Sequence, residues 1–384
     1  MTIYLDNAAT SWPKPPAMME GMIDFNNRIG SNPGRSGHSL SVEAGRVIFE
    51  VRELLSSLFN IQDPMCVVLT SGITHSLNIV LRGLLKSGDH VITSSMEHNS
   101  VMRPLRELEQ NGVSLSVIDC GDSGIIDPDL VKNAIRSNTV LIMMTHASNV
   151  TGSIQPAGDI GRIAREHGIL FCLDSAQTAG ALPVDVESMN IDLLCFAGHK
   201  SLLGPMGTGG LYIRKGLESR INPLMHGGTG SRSEYELQPE FMPDRYESGT
   251  LNTLGIAGLV KSVEYILNEG VDKIRNREQA LVERLLSGLK GVSGVTVYGP
   301  EPVNLRAAAV AFNVAGVNPS EVALYLDEMY GIMSRPGLHC APSAHKTIGS
   351  FPGGTNRLSP GYFTTEDEID AAIEAVHKLT LKNR

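Results

Sequence analysis

Between residues 67 and 213 the chain repeats one pattern: a short, unbroken apolar run, then a stretch with apolar residues at helical spacing. The runs at 67–70, 90–93, 114–119, 140–145, 169–173, 192–196 and 209–213 read as strands. Helical spacing recurs at 74–85, 101–110, 127–137 and 160–167, the last closed by Gly168, a residue type that accepts a left-handed helix end. A strand that alternates polar and apolar residues leaves one face to water, whereas a strand that is apolar throughout is covered on both faces. The expected fold class is therefore α/β, a mostly parallel sheet flanked by helices. Past residue 255 the rhythm changes. An amphipathic stretch at 271–289, strands at 295–298 and 307–314, and helices at 319–329 and 366–379 read as a smaller α+β part. Thr365-Glu-Asp-Glu368 has the form of a capping box for the last helix. The expected organisation is an N-terminal segment at 1–15, a large domain at 16–255 and a small C-terminal domain at 256–384.

Charge and composition narrow the function. A net charge of −9 without clustered Lys and Arg argues against nucleic acid as a partner. No run of about 18 apolar residues occurs, so no membrane span is expected. The opening residues lack the basic and apolar regions of a secretory signal. Five cysteines without a CxxC pair suit free thiols, and the cytoplasm is the expected location.

The chemistry-bearing residues follow the strands. Ser71–Thr74, Glu97–Asn99, His146–Asn149, Asp174–Gln177 and Gly198–Lys200 each come just after an apolar run. Ligands of doubly wound sheets bind outside the carboxyl ends of the strands, so five such clusters describe one pocket. Each alone would pass for turn chemistry. Lys200 is the sharpest of them, because burial lowers the pKa of a lysine and makes it a nucleophile toward carbonyl compounds. Asp174 ends a strand with no other polar residue and needs a cation there. A protonated pyridine nitrogen would satisfy it, although an N-cap role is also open. Ser71–Thr74 opens a helix, where free N–H groups suit a phosphate or a simple cap. Cys66, Cys120, Cys172 and Cys195 lie in or beside apolar strands and read as core residues. Cys340 sits instead in a polar loop with Arg335 and His339, where positive neighbours favour a thiolate. His339, Cys340 and His345 lack the paired spacing of metal ligands, and no metal is expected.

Asp174-x-x-Gln177 and Ala197-Gly-His-Lys200 are joined by further motifs in order: Tyr4-Leu-Asp-Asn-Ala-Ala-Thr10, Gly249-Thr-Leu-Asn-Thr253, Arg335-Pro-Gly-Leu-His-Cys-Ala341, and Arg357 followed by Leu-Ser. Together they resemble the class V, fold-type I pyridoxal-phosphate enzymes, and within them the cysteine desulfurase and selenocysteine lyase family. The resemblance runs nearly end to end. It implies pyridoxal 5'-phosphate as cofactor, held covalently by Lys200, with Asp174 on its pyridine nitrogen and Gln177 on its ring oxygen. His98 would stack on the ring and help move protons. Thr74 and His199 would bind the phosphate, and Thr250 would reach the phosphate of a partner subunit, which implies a homodimer. Asn149 and Arg357 would orient the substrate carboxylate, and Cys340 would be the attacking thiol. The implied activity converts L-cysteine to L-alanine, with sulfur held on Cys340 as a persulfide for an acceptor. Selenocysteine lyase and class V aminotransferase are the alternatives. Two departures stand out: Ala197 replaces a hydroxyl residue often found two before the histidine, and the loop after Cys340, Ala-Pro-Ser-Ala-His-Lys346, matches no particular subtype.

Overall fold

The computed structural model describes residues 2–34 and 37–382. Residues 1, 35–36 and 383–384, which fall within the expected domain ranges, lie outside the described residues. The chain opens with a short strand β1 (Ile3–Tyr4) and two helices, α1 (Pro16–Arg28) and α2 (Ser39–Phe59). Strands and helices then alternate: β2 (Val67–Thr70), α3 (Ile73–Leu84), β3 (His90–Ser94), α4 (Asn99–Gln110), β4 (Ser114–Ile118), α5 (Pro128–Asn133), β5 (Thr139–Thr145), α6 (Ala157–Glu166) and β6 (Leu170–Asp174). β7 (Leu193–Ala197) and β8 (Gly209–Ile213) follow without a helix between them.

These seven strands form one sheet in the order β2-β8-β7-β6-β5-β3-β4, with β8 antiparallel to both its neighbours and the other pairs parallel. Every residue of β2, β3, β6, β7 and β8 is buried, as unbroken apolar runs require. β4, the half-buried member, is an edge. The opposite edge, β2, is closed by side chains. Arg52 of α2 donates from Nε to the Val67 carbonyl at 3.1 Å, and Glu247 accepts from the Leu69 N–H at 2.7 Å. The two side chains pair with each other at 2.5 Å, so the free backbone groups of an edge strand are met by a buried ion pair.

The remainder comprises α7 (Thr253–Glu269), α8 (Val271–Lys290), β9 (Val295–Val297), β10 (Val310–Val314), α9 (Pro319–Tyr330), β11 (Ile332–Met333), β12 (Arg335–Gly337), α10 (Pro342–Thr347), β13 (Thr355–Leu358) and α11 (Glu366–Lys382). An antiparallel sheet, β12-β13-β10-β9, packs with α8, α9 and α11 around a separate apolar cluster that includes Leu285, Phe312, Leu326 and Val376. Ile3 and Leu5 join this cluster, and β1 pairs with β11, so the N-terminal segment belongs in part to the C-terminal core.

Several boundaries differ from the sequence reading. The expected division after residue 255 falls inside α7, whose Ile256, Leu259, Val263 and Ile266 pack into the larger core with α1 and α2. We therefore propose that the larger part extends to the end of α7. The helix expected at 127–137 stops at Asn133, where the chain turns toward β5 and the Arg136 N–H is taken by the Thr139 hydroxyl. The strand expected from 307 pairs only from Val310, because Ala307 donates its N–H to the Gly152 carbonyl instead. Thr365 and Glu368 exchange side-chain-to-backbone hydrogen bonds, the reciprocal capping box that their spacing predicts.

Candidate active site

Because β8 runs against both β2 and β7, the strands β2, β7, β6, β5 and β3 all point the same way. Their carboxyl ends open on one edge of the sheet, and the five polar clusters collect there. Asp174 closes β6 opposite Thr145 of β5, and Lys200 lies three residues past the end of β7.

Lys200 and Asp174 act on each other. Burial pulls the Lys200 ammonium down to about 8; Asp174 opposes that shift, while Arg357 and Arg335 add to it. Asp174 is 3% exposed, and burial raises its carboxyl pKa against the Ala176 N–H, at 2.9 Å, and Lys200. The backbone carrying the lysine is pinned from the N-terminal segment. The His199 carbonyl accepts from Thr10 Oγ1 at 3.0 Å, from the Ser11 N–H at 3.1 Å and from Lys14 Nζ at 2.7 Å. Ser11 Oγ donates to the Lys200 carbonyl at 2.8 Å. Burial lowers Lys14 itself to about 8. Sequence reasoning passed over Ser11 and Lys14, since nothing in their spacing links them to a residue some 190 positions away.

His98 is the N-cap of α4, and its Nδ1 accepts the Ser100 N–H at 3.0 Å. Burial, then Lys200 and nearby arginines, hold its pKa down at about 4, so at neutral pH the ring is uncharged and its proton sits on Nε2. The neighbouring Glu97 is fully buried. Its Oε1 accepts from Ser94 Oγ at 2.5 Å and from the Thr145 N–H at 3.0 Å, while Oε2 has no partner. Burial raises this carboxyl to about 8, against those donors and helped by Asp174.

At the start of α3, Gly72 has φ +147°, a conformation that L side chains rarely adopt. A Cβ there would meet nothing within 4 Å, so backbone conformation rather than crowding selects glycine. The helix has no side-chain cap, which leaves first-turn N–H groups for an anionic oxygen. Thr74 is exposed on that turn and shares a cavity of about 340 Å³ with His98, Arg103 and Cys340. His199 Nδ1 is buried without a partner, on a ring that burial keeps neutral with its pKa at about 4. Gln177 donates from Nε2 to the Ala8 carbonyl at 2.9 Å and lines a small chamber with Lys200, Asn7 and Glu278. A depressed lysine, a buried carboxylate at a strand end, an uncapped helix start and an orphaned imidazole nitrogen together fit pyridoxal phosphate. Ala197 is buried in the apolar cluster beneath α3 and offers no hydroxyl. Thr250 lies apart. It is exposed and lines a different cavity with Ser71, His75 and Asn252.

The loop after β12 carries Cys340, exposed, with φ +57°, next to His339 at φ +48°. The Cys340 carbonyl accepts the Asn99 N–H at 2.8 Å, tying the loop to the start of α4 beside His98. Arg335 Nη2 stands 4.0 Å from Cys340 Sγ. On the same stretch of chain, the His339 and His345 rings lie with centres 5.4 Å apart and planes tilted by 38°, bonded to Thr355 and Ser350 respectively. Asn149 donates to the His339 carbonyl at 2.7 Å, and Arg357 Nη1 donates to the Asn149 carbonyl at 2.8 Å. The other four cysteines are buried.

The family model for class-V aminotransferases matches residues 3–372. A protein of Methanothermobacter thermautotrophicus named "Probable cysteine desulfurase" is 34% identical over 383 residues, covering 98% of this chain and 94% of its own. The cysteine desulfurase IscS of Vibrio campbellii is 33% identical, covering 100% of this chain and 94% of its own. The apo structure of a cysteine desulfurase from Thermococcus onnurineus superposes with a TM-score of 0.93 at 33% identity, covering 99% of this chain and 95% of that one. Among the described residues no helix is long and apolar enough to cross a membrane. With its lysine and carboxylate at the strand ends and its thiol on the facing loop, the chain belongs to the class-V aminotransferase family, and within it to the pyridoxal-phosphate-dependent cysteine desulfurases.

Proposed function

We propose that the protein converts L-cysteine to L-alanine and holds the sulfur on Cys340 as a persulfide for a protein acceptor. The observation that carries this reading is the convergence of Lys200, Asp174 and Cys340 at one sheet edge, with the exposed thiol on a loop anchored beside His98. Pyridoxal phosphate, when bound, supplies the electron sink that stabilises a carbanion at the substrate Cα. Asp174 would hold its pyridine end, and Thr74, His199 and the first turn of α3 would hold its phosphate. Gln177 would meet the ring oxygen. Lys200, half uncharged near pH 8, would be the amine that carries the cofactor and the base placed to take the Cα proton. His98 would cover the ring and present Nε2–H. Asn149 and Arg357 fix the substrate carboxylate. Cys340, as the thiolate, would attack the substrate sulfur, so that an S–S bond forms as the Cβ–S bond breaks; the electron pair of that bond goes to Cβ, which takes a proton, and sulfur remains on the enzyme while alanine departs.

The protein acts as a homodimer in this reading. Thr250 is exposed and lines a cavity that does not include its own Lys200, where a second chain's phosphate would reach it. Helices α1 and α2 also expose Met19, Ile23, Val42 and Phe49, a surface suited to a second copy. A solution mass of one chain would contradict the dimer.

Cys340→Ser is expected to abolish the persulfide, seen as a 32-Da addition to the residue-340 peptide, and to lower alanine release from L-cysteine by about a hundredfold or more. The cofactor's absorbance should stay as in the wild type. Equal alanine release by both proteins would overturn the assignment of the thiol.

A further inference from the structure

The opening motif Tyr4–Thr10 has so far supplied backbone contacts, and its one carboxylate has no role in the reaction as described. Asp6 continues the line of β1 and forms a backbone bridge with Ser359, which brings it beside Arg357 of β13. Asp6 Oδ1 lies 2.5 Å from Arg357 Nη2. The Arg357 side chain is 0% exposed and that of Asp6 22%. Nη1 is used by the Asn149 carbonyl, and Nε is a buried donor with no protein acceptor. Tyr4, on the same segment, donates its hydroxyl to the Asp6 and Thr10 carbonyls at 3.2 and 2.9 Å, which stiffens the turn presenting the carboxylate.

A buried guanidinium needs a counter-ion, and its plane is defined only when two of its corners are held. Asn149 holds one corner and Asp6 the other. We propose that Asp6 is the positioning residue that sets Arg357 for the substrate carboxylate. This rests on the reading of Arg357 given above. Asp6 does not touch substrate in this scheme. It fixes the plane from which the remaining N–H groups are presented, and Asn149 couples that plane to the Cys340 loop through the His339 carbonyl.

The test uses the cofactor-loaded enzyme with L-cysteine and with cysteamine, which keeps the amine and thiol and lacks the carboxylate. Asp6→Asn is expected to raise KM for L-cysteine about tenfold or more while kcat changes less than about threefold. Its binding of cysteamine, read from the cofactor's absorbance, should match the wild type. An unchanged or lowered KM would overturn the proposal, as would equal loss with both ligands. Asp6→Glu keeps the charge and displaces the guanidinium, so an intermediate KM at a wild-type melting temperature is expected. A wild-type KM for Asp6→Glu would reduce Asp6 to a counter-charge and refute positioning. Arg357→Lys separates the two readings. If it weakens L-cysteine but not cysteamine while Asp6→Asn alters neither, the assignment of Asp6 fails and that of Arg357 stands. If it weakens both ligands equally, the reading of Arg357 falls and Asp6 with it.

Discussion

Burial alone would drive the Lys200 amine far toward its uncharged form; Asp174 holds part of the proton back, and the balance leaves the pKa at about 8. That makes a residue-scale prediction for the cofactor-free protein. Labelling of Lys200 by an amine-acylating reagent, followed by mass spectrometry, should rise with a midpoint near pH 8 rather than near the ordinary lysine value. Asp174→Asn removes the one carboxylate that favours the ammonium, so the midpoint should move lower. A midpoint that stays put, or moves up, would mean that the two groups do not interact. Lys200 and Asp174 stood out in the sequence because each follows a run of apolar residues. Lys14 carried no such mark, and Asp6 stood out only as part of the opening motif, since their partners, the His199 carbonyl and Arg357, come from distant parts of the chain.

At the scale of elements, the sheet depends on how its edges are closed. β2 would present free backbone groups if Arg52 and Glu247 did not meet Val67 and Leu69. Burial raises the Glu247 carboxyl pKa and Arg52 lowers it, so removing the arginine would leave an uncompensated acid at the strand. Arg52→Ala is expected to destabilise the protein by about 3–5 kcal/mol in urea unfolding. Replacing both side chains by methionine should recover only part of this, because the Val67 carbonyl and the Leu69 N–H still lose their partners. Full recovery would show that the edge needs no polar cover. The pair was not legible in the sequence, since its members are 195 positions apart. Helices α1, α2 and α7 escaped the reading too. α7 is flanked by α1 and α2 and buries most of its surface, which erases the one-sided period that marks a helix at a surface.

For the molecule as a whole, buried histidines set the response to acid. His90, His98, His146, His199 and His345 are held at about 4 and His339 at about 2, chiefly by burial. Each binds a proton near pH 6.5 once unfolded, so the unfolded chain gains protons as pH falls from 6.5 toward 4, and stability is lost over that window. Glu97 and Glu278, raised to about 8 by burial, act the other way: folded, they keep protons that the unfolded chain releases above about pH 4.5. Asp174 and Glu247, also raised by burial, act in this second sense, and His75, lowered by burial, acts in the first, so seven imidazoles stand against four carboxyls. The cofactor-free protein should therefore lose stability steadily between pH 6.5 and 4, followed as the urea midpoint at each pH. A midpoint that is flat or rises over this range would contradict the burial of these rings.

The order of residues by itself determined the class of fold, the edge of the sheet where ligands gather and the family, because unbroken apolar strands and the residues just after them are local patterns. It also separated Cys340 from four core cysteines by the polarity of its neighbours alone. Tertiary structure decided which carbonyl Lys14 holds, which carboxylate balances Arg357, where α7 belongs and how β2 is sealed. Each of these joins groups far apart in the chain whose burial is known only once the backbone has closed around them, and burial is what turns an ordinary Lys, Asp or Arg into a group with altered charge and fixed geometry.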